Sequence, residues 1–147
     1  MLAVDTNILV YAHRPEFENN DEAYEFVTGL AHGDHPWAIP WPCGHEFLSV
    51  VTNRKIWKEA ASTPEEAWRQ LRVWEASPSC RMIGETDGFM NVLKGFVNRP
   101  NITGGIVHDA RIAAICMASG VETLLTSDRD FSLFPQLHTR DPLSASR

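Results

Sequence analysis

The sequence predicts an α/β fold: a mostly parallel central sheet of about five strands, flanked by helices. Three observations lead there. Short apolar runs alternate with segments of helical periodicity from end to end, the pattern of strands joined by helical crossovers. The helical segments carry their own start and stop residues, notably Thr63, Pro64 and Glu66 at one start and Gly33 and Gly120 at two ends. No repeat, low-complexity tract or linker interrupts the alternation. The chain therefore reads as one domain over residues 1–147, long enough to bury about two-thirds of its unfolded surface.

In chain order, "LAVD" is the first strand and ends at Asp5, after which "ILVYA" is again apolar. "DEAYEFVTGLAHG" sets Tyr24, Val27, Leu30 and Ala31 at helical spacing and stops at Gly33. "PWAIP" is a short strand closed by Pro40. "GHEFLSVVTNRKIW" places Phe47, Val50, Val51 and Arg54 on successive turns, a helix with Glu46 in its first turn. "STPEEAWRQLRVWEAS" opens with a capping box and with Pro64 at the first helical position. "CRMIG" is a third strand. "ETDGFMNVLKGFVN" carries Phe89, Leu93, Phe96 and Val97 along one stripe, and "GGIVHDARIAAICMASG" is apolar nearly all round, a buried helix. "VETLLTSD" is a strand ending at Asp128, and "LHTRD" is the last.

Composition narrows the function classes. With 44% hydrophobic and 22% charged residues, the chain matches ordinary soluble globular proteins. No apolar run reaches the roughly 18 residues of a membrane span, and the N-terminus lacks the basic region of an export signal. Cys43, Cys80 and Cys116 are widely spaced and odd in number, which fits reduced thiols in a cytoplasm. Six histidines form no HxxxH, HExxH or Cys/His pattern, arguing against structural zinc. "NITGGIVH" lacks the glycine patterns of nucleotide-cofactor loops.

The acids carry the chemistry. In a parallel sheet the ligand site lies beyond the carboxyl ends of the strands, where Asp5 and Asp128 both project. Singly, each acid has an ordinary reading. Asp109 and Glu46 suit the first turn of a helix, and Asp128 suits a cap in the turn-rich "SDRDF". Together, four carboxylates on one rim would repel and could not all ionise without a cation. Oxygen ligands alone point to a hard ion, Mg²⁺ or Mn²⁺.

The ordered set "MLAVDTNILV", "GHEF", "IVHDARIAAI" and "LLTSDRDF" resembles the PIN-domain ribonucleases, and the length resembles the toxin half of bacterial VapBC toxin–antitoxin systems. The resemblance spans essentially the whole chain and implies a PIN-like three-layer fold. It implies metal-dependent cleavage of RNA phosphodiester bonds, with Asp5, Glu46, Asp109 and Asp128 as catalytic and metal-binding residues. Asn7 and Thr126 match small polar residues that the family sets beside those acids as hydrogen-bonding neighbours. Asp130 either joins them or caps a helix begun by "FSLF". The expected partners are RNA, a cognate antitoxin whose C-terminal segment can place an arginine among the acids, and a second copy of the chain in a cytoplasmic homodimer.

The net charge of −6 does not oppose an RNA substrate, because the four acids leave −2 for the rest of the molecule. Arg54, Lys55 and Lys58 around Trp57 are candidate RNA contacts, or equally a solvated helix end. His45 and His108 each precede a site acid and are read as structural or rim residues. Most of the five tryptophans are expected in the core, the others in a partner groove. Three rival functions fit the sequence less well. A phosphotransferase using Asp5 as nucleophile lacks a DxDxT sequence, and a receiver-like domain lacks an early acidic pair. A non-catalytic PIN-like module binding RNA or protein should have lost one of the four acids, and all are present.

Overall fold

The structure is a computed structural model and describes residues 1–143. Its strands fall on the five segments the sequence predicts: β1 (Leu2–Val4), β2 (Trp37–Pro40), β3 (Cys80–Ile83), β4 (Thr123–Leu125) and β5 (His138–Arg140). They form one sheet in the order β3-β2-β1-β4-β5, parallel at every pairing, with Leu2 opposite both Trp37 and Thr123. Parallel pairing requires crossovers, and among the described residues seven helices supply all but the last. They are α1 (Thr6–His13), α2 (Asn20–His32), α3 (Trp41–Val51), α4 (Arg54–Trp57), α5 (Pro64–Glu75), α6 (Phe89–Val97) and α7 (Ile106–Ala118). Two 3₁₀ turns, Lys58–Ala60 and Arg129–Leu133, complete the connections.

The chain winds from β1 outward to β3, then returns across β1 to lay down β4 and β5. The helices before β3 pack on one another, α1 with α2 and α3 and α3 with α5, while α6 and α7 after it pack together. The reversal lies between β1 and β4, and it opens a crevice at their carboxyl ends. Val4, Leu124 and Leu125 at the sheet centre are wholly buried, as are Ile8 and Leu9 of α1, Phe47 of α3 and Ile115 of α7. Ala110, Ala113 and Ala114 keep one side of α7 small enough to lie close to its neighbours.

Three local features depart from the sequence reading. "ILVYA" belongs to α1, begun directly after β1 with Asp5 as its N-cap. The single helix expected over 44–57 starts earlier, at Trp41, and breaks at Thr52–Asn53; Asn53 then caps α4 by accepting from the Lys55 amide at 3.0 Å. The cap of the turn containing "FSLF" is Asp128, whose Oδ1 accepts from the Asp130 amide at 2.9 Å. The Thr63 cap forms as expected, its hydroxyl accepting from the Glu66 amide at 3.1 Å. Of the tryptophans, Trp37 and Trp74 are core and Trp41 and Trp68 are exposed.

Candidate active site

Asp5 stands one residue beyond β1, at the point where the winding reverses. Its backbone amide donates to Leu125 O, which ties it to the end of β4. The side chain is almost fully buried, a costly place for a carboxylate unless donors meet it. Three do. Oδ1 accepts from the Thr6 amide at 2.8 Å and from the Cys43 thiol at 3.4 Å, and Oδ2 accepts from the Thr126 hydroxyl at 2.7 Å. Burial still outweighs those bonds and raises the Asp5 pKa above its ordinary value; the charge of Glu46 adds a smaller push the same way.

Thr126, the residue after β4, is the hub of this corner. Besides donating to Asp5, its hydroxyl accepts from Asn7 Nδ2 at 3.4 Å and from the Asp128 amide at 3.0 Å. Asn7 closes the loop by accepting from the Ser127 amide at 3.4 Å. Thr6 lies on the other side of Asp5, its hydroxyl donating to Glu46 Oε2 at 3.0 Å. The "DTN" tripeptide thus holds Asp5, Glu46 and the Thr126–Asp128 segment in one frame.

Asp5, Glu46, Asp109 and Asp128 line a single cavity of about 350 Å³. Asp109 reaches it from the first turn of α7, and Glu46 from α3. The remaining walls are Thr6, Asn7 and an apolar end that includes Val10, Tyr11 and Phe17; no Lys, Arg or His is among the lining residues. Within the group, carboxylate oxygens of Asp109, Asp128 and Asp130 lie within 4.8 Å of one another. Asp130 therefore belongs with the acids spatially, while Asp5 and Glu46 stand outside that tight set. Burial raises the Asp109 pKa to about 6, helped in order by the charges of Asp128, Asp5, Asp130 and Glu46. A carboxylate near a helix N-terminus is normally favoured when ionised. Here the neighbouring acids and desolvation overrule the helix.

This donor set fits a hard divalent cation. The ligand atoms are all carboxylate oxygens, they crowd closely enough to raise a pKa, and no protein cation offsets them inside the cavity. The candidate RNA contacts lie elsewhere. Arg54, Lys55 and Lys58 are exposed and none lines the cavity, and Arg54 pairs with Glu59 at 3.3 Å. Trp57 between them turns inward: the Arg14 guanidinium lies 4.2 Å over its ring, Phe17 packs edge-on, and its Nε1 donates to Val50 O. It is not free to stack a base.

A parallel sheet with carboxylates gathered at its switch point is the architecture of the PIN domain, whose family model matches residues 2–136. Ribonuclease VapC43 of Mycobacterium tuberculosis is 31% identical over 143 residues, covering 97% of this chain and 96% of that one. Ribonuclease VapC48 of the same species is 29% identical over 140 residues, covering 95% and 96%. The chain belongs to the PIN-domain family, among the VapC ribonucleases. Solved structures share the fold at lower identity. VapBC2 from Rickettsia felis, solved bound to a DNA fragment from its promoter, superposes with a TM-score of 0.65 at 20% identity over 95% of this chain and 96% of that one. FitAcB from Neisseria gonorrhoeae gives 0.67 at 14% over 98% and 99%.

Proposed function

We propose that this protein is a divalent-metal-dependent endoribonuclease, the toxin of a toxin–antitoxin pair, acting in the cytoplasm as a single domain. The observation that carries the reading is the cavity in which four acids meet with no protein cation among them. The curated relatives are named ribonucleases, which supplies the substrate class. Asp5, Glu46, Asp109 and Asp128, with Asp130 close to Asp109 and Asp128, would hold a Mg²⁺ or Mn²⁺ ion. When bound, such an ion lowers the pKa of a water and offsets charge gathering on the phosphodiester.

The chain's own contribution is orientation. Thr126 fixes Asp5 and the backbone of Asp128 at once, and Thr6 fixes Glu46. Asn7 braces Thr126 and Ser127 and so keeps the end of β4 against the start of α1. The same arrangement suits an antitoxin: an arginine delivered into the cavity would pair bidentately with these carboxylates and exclude substrate. Solved neighbours are toxin–antitoxin assemblies such as VapBC-1 from nontypeable Haemophilus influenzae. A homodimer is the expected assembly of the free toxin.

The reading is tested with purified, antitoxin-free protein and RNA. Cleavage should appear with Mg²⁺ or Mn²⁺, stop on addition of EDTA, and fall by orders of magnitude in Asp109→Asn. Cleavage undiminished by EDTA would exclude the mechanism.

A further inference from the structure

We propose that the RNA strand beside the scissile phosphate lies in a second groove, between the N-terminal turns of α3 and α7, with a base stacked on Trp41 and a phosphate met by His45, His108 and Arg111. The inference rests on the ribonuclease reading above and names the substrate-binding surface of that same site. The groove, about 390 Å³, is lined by Pro42, His45, Glu46, Gly105, His108, Asp109, Arg111 and Ile112. Glu46, Asp109 and Ile112 also line the acid cavity, so the two spaces share a wall. Their charges differ. The acid cavity has no basic lining residue, whereas three of the eight lining this groove are His or Arg. A polyanion drawn to the acids through a bound cation needs positive or hydrogen-donating groups just outside them, and this groove provides His45, His108 and Arg111 beside the shared wall.

A stacking platform stands beside the groove, joined to it through His45. Trp41 and His45 are four residues apart on α3, so their side chains share a face. Their rings lie 6.0 Å apart and tilted by 40°. Trp41 is 41% exposed, unusual for an indole at the end of a buried strand, and its Cδ1 sits over Gly84, where a Cβ would stand 3.4 Å away. The indole lies against Gly84 at the end of β3 with one part open to solvent. Across the groove, Arg111 Nε donates to Glu85 Oε1 at 2.6 Å, which pins the guanidinium at the rim. Single-stranded RNA is bound by this pairing of aromatic faces with backbone-neutralising groups.

Steady-state cleavage of a short fluorescent oligoribonucleotide with Mg²⁺ tests the assignment. Trp41→Ala and the double variant His45→Ala/His108→Ala should each raise KM by about tenfold, the scale of one lost base stack, with kcat changed much less. Trp41→Phe should restore most of the loss. All three residues are exposed, so circular dichroism should show the parent's fold. Photo-crosslinking of a 4-thiouridine oligonucleotide, mapped by residue, should mark Trp41, His45 or His108. An unchanged KM in both variants, or crosslinks confined to Tyr11 and Phe17 or to Lys55 and Lys58, would overturn the groove assignment while leaving the ribonuclease reading intact. Absence of cleavage by the parent would overturn that reading itself.

Discussion

Asp109→Asn should make the metal-free protein more stable, although it removes a residue of the proposed active site. The Asp109 pKa of about 6 against a reference of 3.8 means that ionising it costs more in the folded chain than in the unfolded one. Taken at face value, two pH units are about 3 kcal/mol. Asp109 is only half-buried, so solvent screening reduces this to about 1–1.5 kcal/mol. Loss of a charge near the start of α7 subtracts a few tenths of a kcal/mol. A net gain of about 1 kcal/mol corresponds to roughly 3 °C in Tm for a domain of this size. The pH dependence follows from the sign of the shift. Between about pH 4 and pH 6 the folded state binds more protons than the unfolded one, so the parent loses stability as pH rises through that window. The variant's advantage should be complete above pH 7 and vanish toward pH 4. Saturating Mg²⁺ should narrow or reverse the order, because the parent gains binding free energy that the variant lacks. Thermal melts in EDTA and in Mg²⁺ across this range provide the assay. A variant that melts below the parent in EDTA at pH 7 would refute the reasoning, since an isolated helix-terminal charge predicts that outcome.

Thr126→Val should destabilise the fold by about 1–3 kcal/mol in urea melts, because it removes the donor to buried Asp5 and the acceptor of the Asp128 amide; Thr126→Ser should recover most of that. His13 is held below its ordinary pKa mainly by burial, with the hydrogen bond to Gln70 opposing and Arg14 reinforcing the shift. The folded state thus binds fewer protons at that site, and stability should fall as pH drops through about 6.5. The stability of His13→Gln relative to the parent should therefore rise as pH falls from 7 to 5, and a difference that does not change with pH would contradict the assignment.

β1 to β4 were legible because each run is short, mostly apolar and bounded by turn residues; β5 is polar and exposed, marked only by its place near the end of the chain, and the strand order was not readable. Two helical features were not legible either. α1 is eight residues long and buried along most of its length, so "ILVYA" shows no polar face from which a helical period could be read. Its start signal was also hidden: Asp5 reads as an isolated charge at a strand end, and only the structure shows the same side chain capping a helix. The break at Thr52–Asn53 lies inside a run that keeps helical spacing through Arg54. What ends α3 is local competition, with Thr52 Oγ1 donating back to Leu48 O at 2.7 Å and Asn53 capping the next turn. At the site, the four acids were readable as types at positions, and Asn7 and Thr126 as residues the family resemblance sets beside them; the hydrogen bond joining Asn7 to Thr126 was not. The inclusion of Asp130 was not, because it depends on the tight turn made when Asp128 accepts the Asp130 amide and brings the two carboxylates to the same place.

That turn also shows how the fold sustains so many acids together. Asp5 is the most deeply buried of them, yet it is the one met by three donors, and one of these, Thr126, directly follows a strand end that the sheet itself fixes. Asp109 has no hydrogen-bond donor among the described residues; its position comes from α7, whose buried face is anchored in the core by Ile112 and Ile115. The two carboxylates therefore carry different consequences when changed. Neutralising Asp5 would relieve repulsion but leave the Thr126 hydroxyl and the Thr6 amide facing an altered acceptor, mixing electrostatic gain with hydrogen-bond loss. Neutralising Asp109 removes charge and little else. The electrostatic load of the site is thus best read at Asp109 and its structural scaffold at Thr126, and the two substitutions should respond oppositely in the absence of metal.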